Sequence, residues 1–154
     1  GLRGAPLYRI FCARIPRCVH RVTGEIRILQ SVQGIDCGVL INPMQARGQV
    51  EGGIAQGIGS SLFERMVIDE HGEVVNQTFR NYRIPAFADI PRTELFFAKT
   101  HDPYGPLGAK SLAEAPIIPV SAALGNAIAD ATGIRLTSLP FSADRIFQQL
   151  SGNS

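Results

Sequence analysis

No stretch of the sequence approaches the roughly 20 consecutive apolar residues that a membrane-spanning helix requires, and no signal-peptide pattern precedes its first strand-like segment. Neither membrane insertion nor secretion is expected. Charge of one sign is scarce as well: 15 Lys and Arg stand against 13 Asp and Glu, a net charge of +2. That balance gives no reason to expect nucleic acid or an anionic membrane as a partner. Arg3, Arg9, Arg14, Arg17, Arg21 and Arg27 do make the first 27 residues locally basic. The segment reads as a solvated or interface stretch, with an arm that binds RNA or a partner as the alternative. Cysteine is sparse: Cys12, Cys18 and Cys37 form no CxxC pair and lie near no histidine at zinc-ligand spacing. Neither a metal clip nor an even disulfide framework is suggested, and a reducing, cytoplasmic compartment fits best. The first residues are Gly-Leu-Arg without a methionine, as expected of a fragment, a processed product or a tag remnant.

The common short signatures of chemistry are missing too. Gly48, Gly52, Gly53, Gly57 and Gly59 crowd one segment, but without GxGxxG spacing and without a strand directly before them, so they are not a dinucleotide fingerprint. The GAKS tetrapeptide at Gly108–Ser111 lacks the upstream glycine of a phosphate-binding loop. His20, His71 and His101 fall in a basic segment, a turn and a loop, and no serine sits on a nucleophile elbow. Each histidine reads as a surface or capping residue. No internal repeat or low-complexity tract is visible.

What is present is one domain's worth of chain, 154 residues with 45% apolar content, enough for a hydrophobic core. Arg21 to Val32 reads as a strand entered from a Thr23-Gly24 turn, with Ile26, Ile28 and Gln30 alternating against Arg27 and Leu29. Ile35 to Pro43 reads as a short strand that Asn42-Pro43 stops. From Ala46 to Met66 the apolar residues Val50, Ile54, Ile58, Leu62 and Met66 recur every four positions and predict a helix. Its glycines each cost about 1 kcal/mol relative to alanine. Either another element packs very close, or the backbone approaches a ligand.

Further along, His71-Gly72 predicts a hairpin turn, and the segment holding Pro85 and Pro91 an extended surface run. Thr93 to Thr100 predicts a strand, and Gly105 to Ala115 a loop of small residues. Pro116 and Pro119 suit the first turn of a helix buried through Val120, Ala123, Leu124, Ala127, Ile128 and Ala131, with Gly133 as its C-cap. A last helix follows Pro140, with Ser142 as N-cap and Ile146, Phe147 and Leu150 inside. Strands and helices interleave without a strict βαβ rhythm, so the fold class is α+β with a mixed sheet packed against helices.

The loop GPLGAKSLAEAP, Gly105 to Pro116, sets a lysine, a serine and a glutamate among small residues just before a helix. Taken alone, Glu114 reads as a capping carboxylate at that helix N-terminus. Three runs, in order, add another reading: DCGVLINPMQARGQVEGGIAQGIGSSLFE, NYRIPAFADIP and GPLGAKSLAEAPIIPVSAALGNAIADATG. Over about Val22 to Leu150 they resemble the second molybdopterin-binding domain in the large subunit of xanthine dehydrogenases, aldehyde oxidases and related hydroxylases.

The resemblance divides the chain into a poorly matching basic segment, 1–21, and a molybdopterin-binding domain, 22–154. It implies that Gln49 hydrogen-bonds the pterin and that Lys110, Leu112 and Ala113 line the cofactor, partly through backbone groups. Glu114 matches the glutamate that acts as general base, relieving a water-derived oxygen of its proton so that it can attack an electron-poor carbon. Ser111 and Ala113 stand where the family commonly has glycine, which makes the loop bulkier beside Glu114. The implied cofactor is molybdenum-molybdopterin, in the plain or the cytosine dinucleotide form, with iron-sulfur clusters and FAD on other domains or subunits. The implied partners are the remainder of the molybdenum subunit, those electron-transfer modules, an aldehyde or N-heterocycle and, as an option, a second copy. On this reading the chain alone is inactive. The alternatives are a non-catalytic module that binds a partner chain through its glycine-rich helix and basic arm, and a phosphate- or nucleotide-binding protein.

Overall fold

In a computed structural model of the chain, residues 19–152 are described. The basic positions Arg3 to Arg17 and the thiols Cys12 and Cys18 therefore lie outside the described residues. The regular elements run in the order β1 (Gln30–Ile35), α1 (Pro43–Leu62), β2 (Arg92–Phe97), α2 (Val120–Thr132) and α3 (Ala143–Gly152). Two short 3-10 turns, Phe87–Asp89 and Pro106–Gly108, punctuate the long connections. The result is the expected α+β class.

β1 and β2 pair in parallel, Gln30 opposite Arg92 through Ile35 opposite Phe97. The other pairings among the described residues are single antiparallel bridges, Val19 with Ile26, Gly38 with Ala109 and Ile68 with Val74. The alternation expected over Arg21 to Val32 is visible in burial, since Ile26 and Ile28 are half-buried while Arg27 and Leu29 are exposed. Ladder pairing, however, begins only at Gln30, where β2 supplies a partner. The short strand expected at Ile35 to Pro43 is irregular for a related reason. At Gly38 the backbone has φ +66°, a conformation that side chains disfavour, and the carbonyl of Gly108 lies where a Cβ would be. The loop before Glu114 thus crosses the chain at a position only glycine can occupy.

Asn42 starts α1 by accepting a hydrogen bond from the Gln45 amide at 3.1 Å, with Pro43 in the first turn, where its missing N–H costs nothing. The helix is therefore a turn longer at its start than the apolar period indicated. Val50, Ile54, Ile58 and Leu62 form its buried stripe, whereas Met66 lies past its end and is exposed. That stripe shares one core cluster with Ile35, Cys37, Leu124, Ile128, Phe141 and Ile146. The core thus lies between the parallel pair and the three helices.

α2 contacts α1 closely because α1 has glycine at the contact. A Cβ on Gly57 would come within 2.6 Å of Val120 Cβ, and one on Gly53 within 2.7 Å of Pro116 Cβ. The Ser61 and Ser121 hydroxyls meet 2.7 Å apart one turn further on. Gly133 ends α2 with φ +77°, as expected. Only Leu124 and Ile128 of its predicted face are fully buried, and in α3 Ile146 is buried while Phe147 is exposed. The His71-Gly72 turn is as predicted: Asp69 Oδ1 accepts from the amides of His71 and Glu73, each at 2.9 Å. No helix among the described residues is long and apolar enough to cross a membrane.

Candidate cofactor site around Glu114

Glu114 does not cap a helix. Residues 115–119 form turns, Pro119 is the residue that precedes α2, and the helix begins at Val120. Pro116 and Pro119 explain the delay, because neither can donate to a helical ladder and each restricts the residue before it. Glu114 is exposed, as are Ser111 and Ala113, so the two side chains that stand in place of glycine point away from the core. Among the described residues the Glu114 carboxylate has no hydrogen-bond or ion-pair partner. Its own carbonyl accepts from the Ile117 amide at 3.1 Å.

Three long-range attachments fix the loop that carries it. At its start, Lys110 N donates to the Cys37 carbonyl at 2.8 Å beside the Gly38–Ala109 bridge. The Lys110 ammonium reaches Asp36 Oδ2 at 2.6 Å, with both side chains mostly buried. In the middle, Gln49 Nε2 on α1 donates to the Ala113 carbonyl at 3.3 Å. At its end, Gln33 Nε2 on β1 donates to the Pro116 carbonyl at 3.1 Å.

Asp36 anchors the first attachment. Partial burial raises its pKa, but hydrogen bonds from Lys110 Nζ, Thr100 Oγ1 and the Gly38 amide outweigh that and hold the carboxyl below its ordinary value. Beside it, burial pushes the Cys37 thiol above the ordinary range. The Lys110 ammonium therefore serves to hold the loop, and what that segment offers outward comes from its backbone and from the side chains of Ser111, Ala113 and Glu114.

The residues named from sequence thus come together in part. Gln49, Ala113 and Glu114 are neighbours, Leu112 packs half-buried against the core, and Lys110 turns inward to Asp36. Gln33 and Asp36 were not singled out from sequence. Gln33 could have been, because it shares strand parity with Ile35 and Cys37 and so had to be a buried amide in need of a partner.

The glycine-rich face divides in two. Gly53 and Gly57 are explained by close packing, but a Cβ on Gly48 or Gly52 would meet nothing within 4 Å. These two glycines lie one residue before and three after Gln49, leave the helix backbone bare there, and have no packing role within the described residues. A Gln amide carries two donor hydrogens and a carbonyl. With one hydrogen on Ala113, Gln49 keeps a donor and an acceptor for a ligand. A bare helix face, a free amide edge and a loop of small residues suit a flat, polar heterocycle such as a pterin. Among the described residues no three His, Cys, Asp or Glu are grouped to hold a metal ion. Two cavities of about 780 and 790 Å³ lie elsewhere, one by Arg27, Phe63 and Ser142 and one by Arg47, Phe87 and Thr93.

A family model described as a molybdopterin cofactor-binding domain matches residues 8–91. The chain is 43% identical over 139 residues to the xanthine dehydrogenase molybdenum-binding subunit of Escherichia coli O157:H7, covering 90% of this chain and 18% of that protein. It is 37% identical over 134 residues to the aldehyde oxidoreductase molybdenum-binding subunit PaoC of Escherichia coli K12, covering 86% and 18%. Among solved structures, quinoline 2-oxidoreductase from Pseudomonas putida superposes with a TM-score of 0.79 at 34% identity, covering 84% of this chain and 17% of that one. The chain thus spans roughly a fifth of the length of the relatives it matches.

Proposed function

Because the chain belongs to the molybdopterin cofactor-binding domain family of xanthine dehydrogenase and aldehyde oxidoreductase large subunits, we propose that it forms one wall of a molybdenum hydroxylase active site and supplies its general base, Glu114. The observation that carries this reading is the hydrogen bond from Gln49 to Ala113. It joins α1 at Gln49 to the residue before Glu114, so one ligand can touch both.

In this reading Gln49, together with the backbone of Leu112 and Ala113, binds and orients a molybdenum-molybdopterin cofactor, in its plain or cytosine dinucleotide form. When bound, that group accepts the two electrons of the oxidation. Glu114 accepts the proton released as a water-derived oxygen is delivered to an aldehyde or N-heterocycle. A base in this role must lie within hydrogen-bond reach of the proton it takes. An exposed carboxylate with no partner among the described residues, on a loop fixed at both ends, is free to meet it. Lys110 holds the loop through Asp36. The rest of the large subunit, with iron-sulfur and flavin modules, completes the site and removes the electrons. The 154-residue chain by itself is inactive.

The test is Glu114→Gln in the assembled enzyme, assayed with an aldehyde and with an N-heterocycle. Turnover should fall by about 10²–10⁴-fold, the usual contribution of a positioned base, with molybdenum content unchanged. Turnover within a few-fold of the parent would remove Glu114 from that role.

A further inference from the structure

We propose that Gln33 is a positioning residue for Glu114, acting through the carbonyl of Pro116. The inference rests on the reading of Glu114 as base, and its main measurement does not depend on that reading.

Gln33 lies on β1 with only 3% of its surface exposed. A primary amide buried to that degree is costly unless its hydrogens are used. Its Nε2 donates to Pro116, 83 residues away in the chain. The Pro116 carbonyl needs this donor. Pro116 is itself among the most deeply buried side chains, and the amide that would close a helical turn onto its carbonyl, Val120 N, is directed to Ile117 instead. No other backbone donor reaches it among the described residues.

Glu114 therefore sits on an arc pinned at both ends by glutamines. Gln49 holds Ala113 on one side and Gln33 holds Pro116 on the other. The two clamps differ in kind. Gln49 is exposed and open to a ligand, whereas Gln33 is buried and can serve only the protein. Because the Glu114 carboxylate has no partner among the described residues, its location there is set by the backbone. Within that arc the remaining bond is Ile117 N to the Glu114 carbonyl, a single turn that cannot fix the direction in which the side chain leaves.

The experiment is residue-resolved amide hydrogen exchange on the 154-residue chain and on Gln33→Met, which keeps the volume and removes the donor. Exchange at the Ile117 amide, the one in this arc whose hydrogen bond to the Glu114 carbonyl protects it, should rise about tenfold, the effect of losing one buried hydrogen bond, while the amides of α1 stay as protected as before. Gln33→Glu should lose at least as much protection as Gln33→Met when ionised, a buried carboxylate facing a carbonyl oxygen, and recover it, relative to the parent at each pH, as its carboxyl protonates and can again donate. Unchanged exchange at the Ile117 amide, or an equal rise throughout α1, would overturn the proposal. A measurement on the unaltered chain guards against a variant that does not fold. The Gln33 side-chain amide protons should exchange slowly and show a nuclear Overhauser contact to Pro116, and rapid exchange with bulk water would also overturn the proposal. In the assembled enzyme Gln33→Met should lower kcat by about tenfold to hundredfold, the scale expected of a misplaced catalytic group, with KM and molybdenum content unchanged. If Glu114→Gln left turnover intact while Gln33→Met still freed the arc, the base reading would fail and the clamp would stand.

Discussion

Alanine at two glycines of the same helix should have opposite effects. Gly52 and Gly57 both lie inside α1, and alanine is favoured over glycine in a helix by about 1 kcal/mol. At Gly52 a Cβ meets nothing within 4 Å, so Gly52→Ala should realise that gain. For a chain of this size the gain corresponds to a rise in Tm of about 2–4 °C. At Gly57 the new Cβ would lie 2.6 Å from Val120 Cβ, 2.7 Å from Cγ2 and 3.0 Å from Cγ1. Val120 is β-branched and opens α2, so it cannot rotate away without moving that helix. Overpacking of this kind costs about 1–3 kcal/mol, which cancels the propensity gain and leaves Gly57→Ala between neutral and about 2 kcal/mol less stable. Urea denaturation of the two variants beside the parent separates these outcomes. Equal stabilisation of both would refute the claim that α2 is seated on Gly57. In the assembled enzyme Gly52→Ala should also lower molybdenum loading, since on the proposed function this part of α1 faces the cofactor. A variant that is more stable and fully loaded would mean that the bare face meets no cofactor.

Acidification tests the anchor of the loop. The Asp36 carboxyl binds its proton more weakly folded than unfolded, so its contribution is present above the ordinary carboxylate pKa and is lost as pH falls through the folded value. Asp36→Asn should lower the urea midpoint at neutral pH by the equivalent of about 1–3 kcal/mol and flatten its decline in acid, whereas a parallel curve would refute the assignment. Cys37 is buried, with its thiol pushed above the ordinary range. In a Cys12→Ser/Cys18→Ser background it should react with a disulfide reagent at least about 100-fold more slowly than in urea, and comparable rates would show that it is open to solvent.

The features legible in the sequence are the locally determined ones. The four-residue period of Val50, Ile54, Ile58 and Leu62 marked α1 and its inner face, Gly133 marked the end of α2, and His71-Gly72 marked a turn. Each depends on residues within a turn or two of one another. Strand limits were less legible because β1 and β2 are set by each other, across 62 residues between Gln30 and Arg92. The Glu114 neighbourhood was legible in membership and not in geometry. Motif order grouped Gln49 with Ala113 and Glu114, but the expected helix N-terminus lies elsewhere because Pro116 and Pro119 delay α2. The inward turn of Lys110 depends on Asp36, 74 residues away, and nothing local announces it.

That separation has a consequence for the proposed base. The bonds that place the arc around Glu114 come from Gln33, Asp36 and Gln49, at separations of 83, 74 and 64 residues. All three supports sit on β1, α1 or the turn between them, elements whose inner faces are the hydrophobic core. A local helix cap would have tied Glu114 to α2 alone, and fraying of the first turn would then have moved it. With the observed arrangement, fraying of α2 leaves the arc attached, because its anchors belong to the most deeply buried part of the chain. Substitutions in β1 or in the first half of α1 should therefore disturb Glu114 more than substitutions in α2 of equal cost to stability. Equal effects from the two groups would mean that the arc is held by its own turn and that the long-range bonds are incidental.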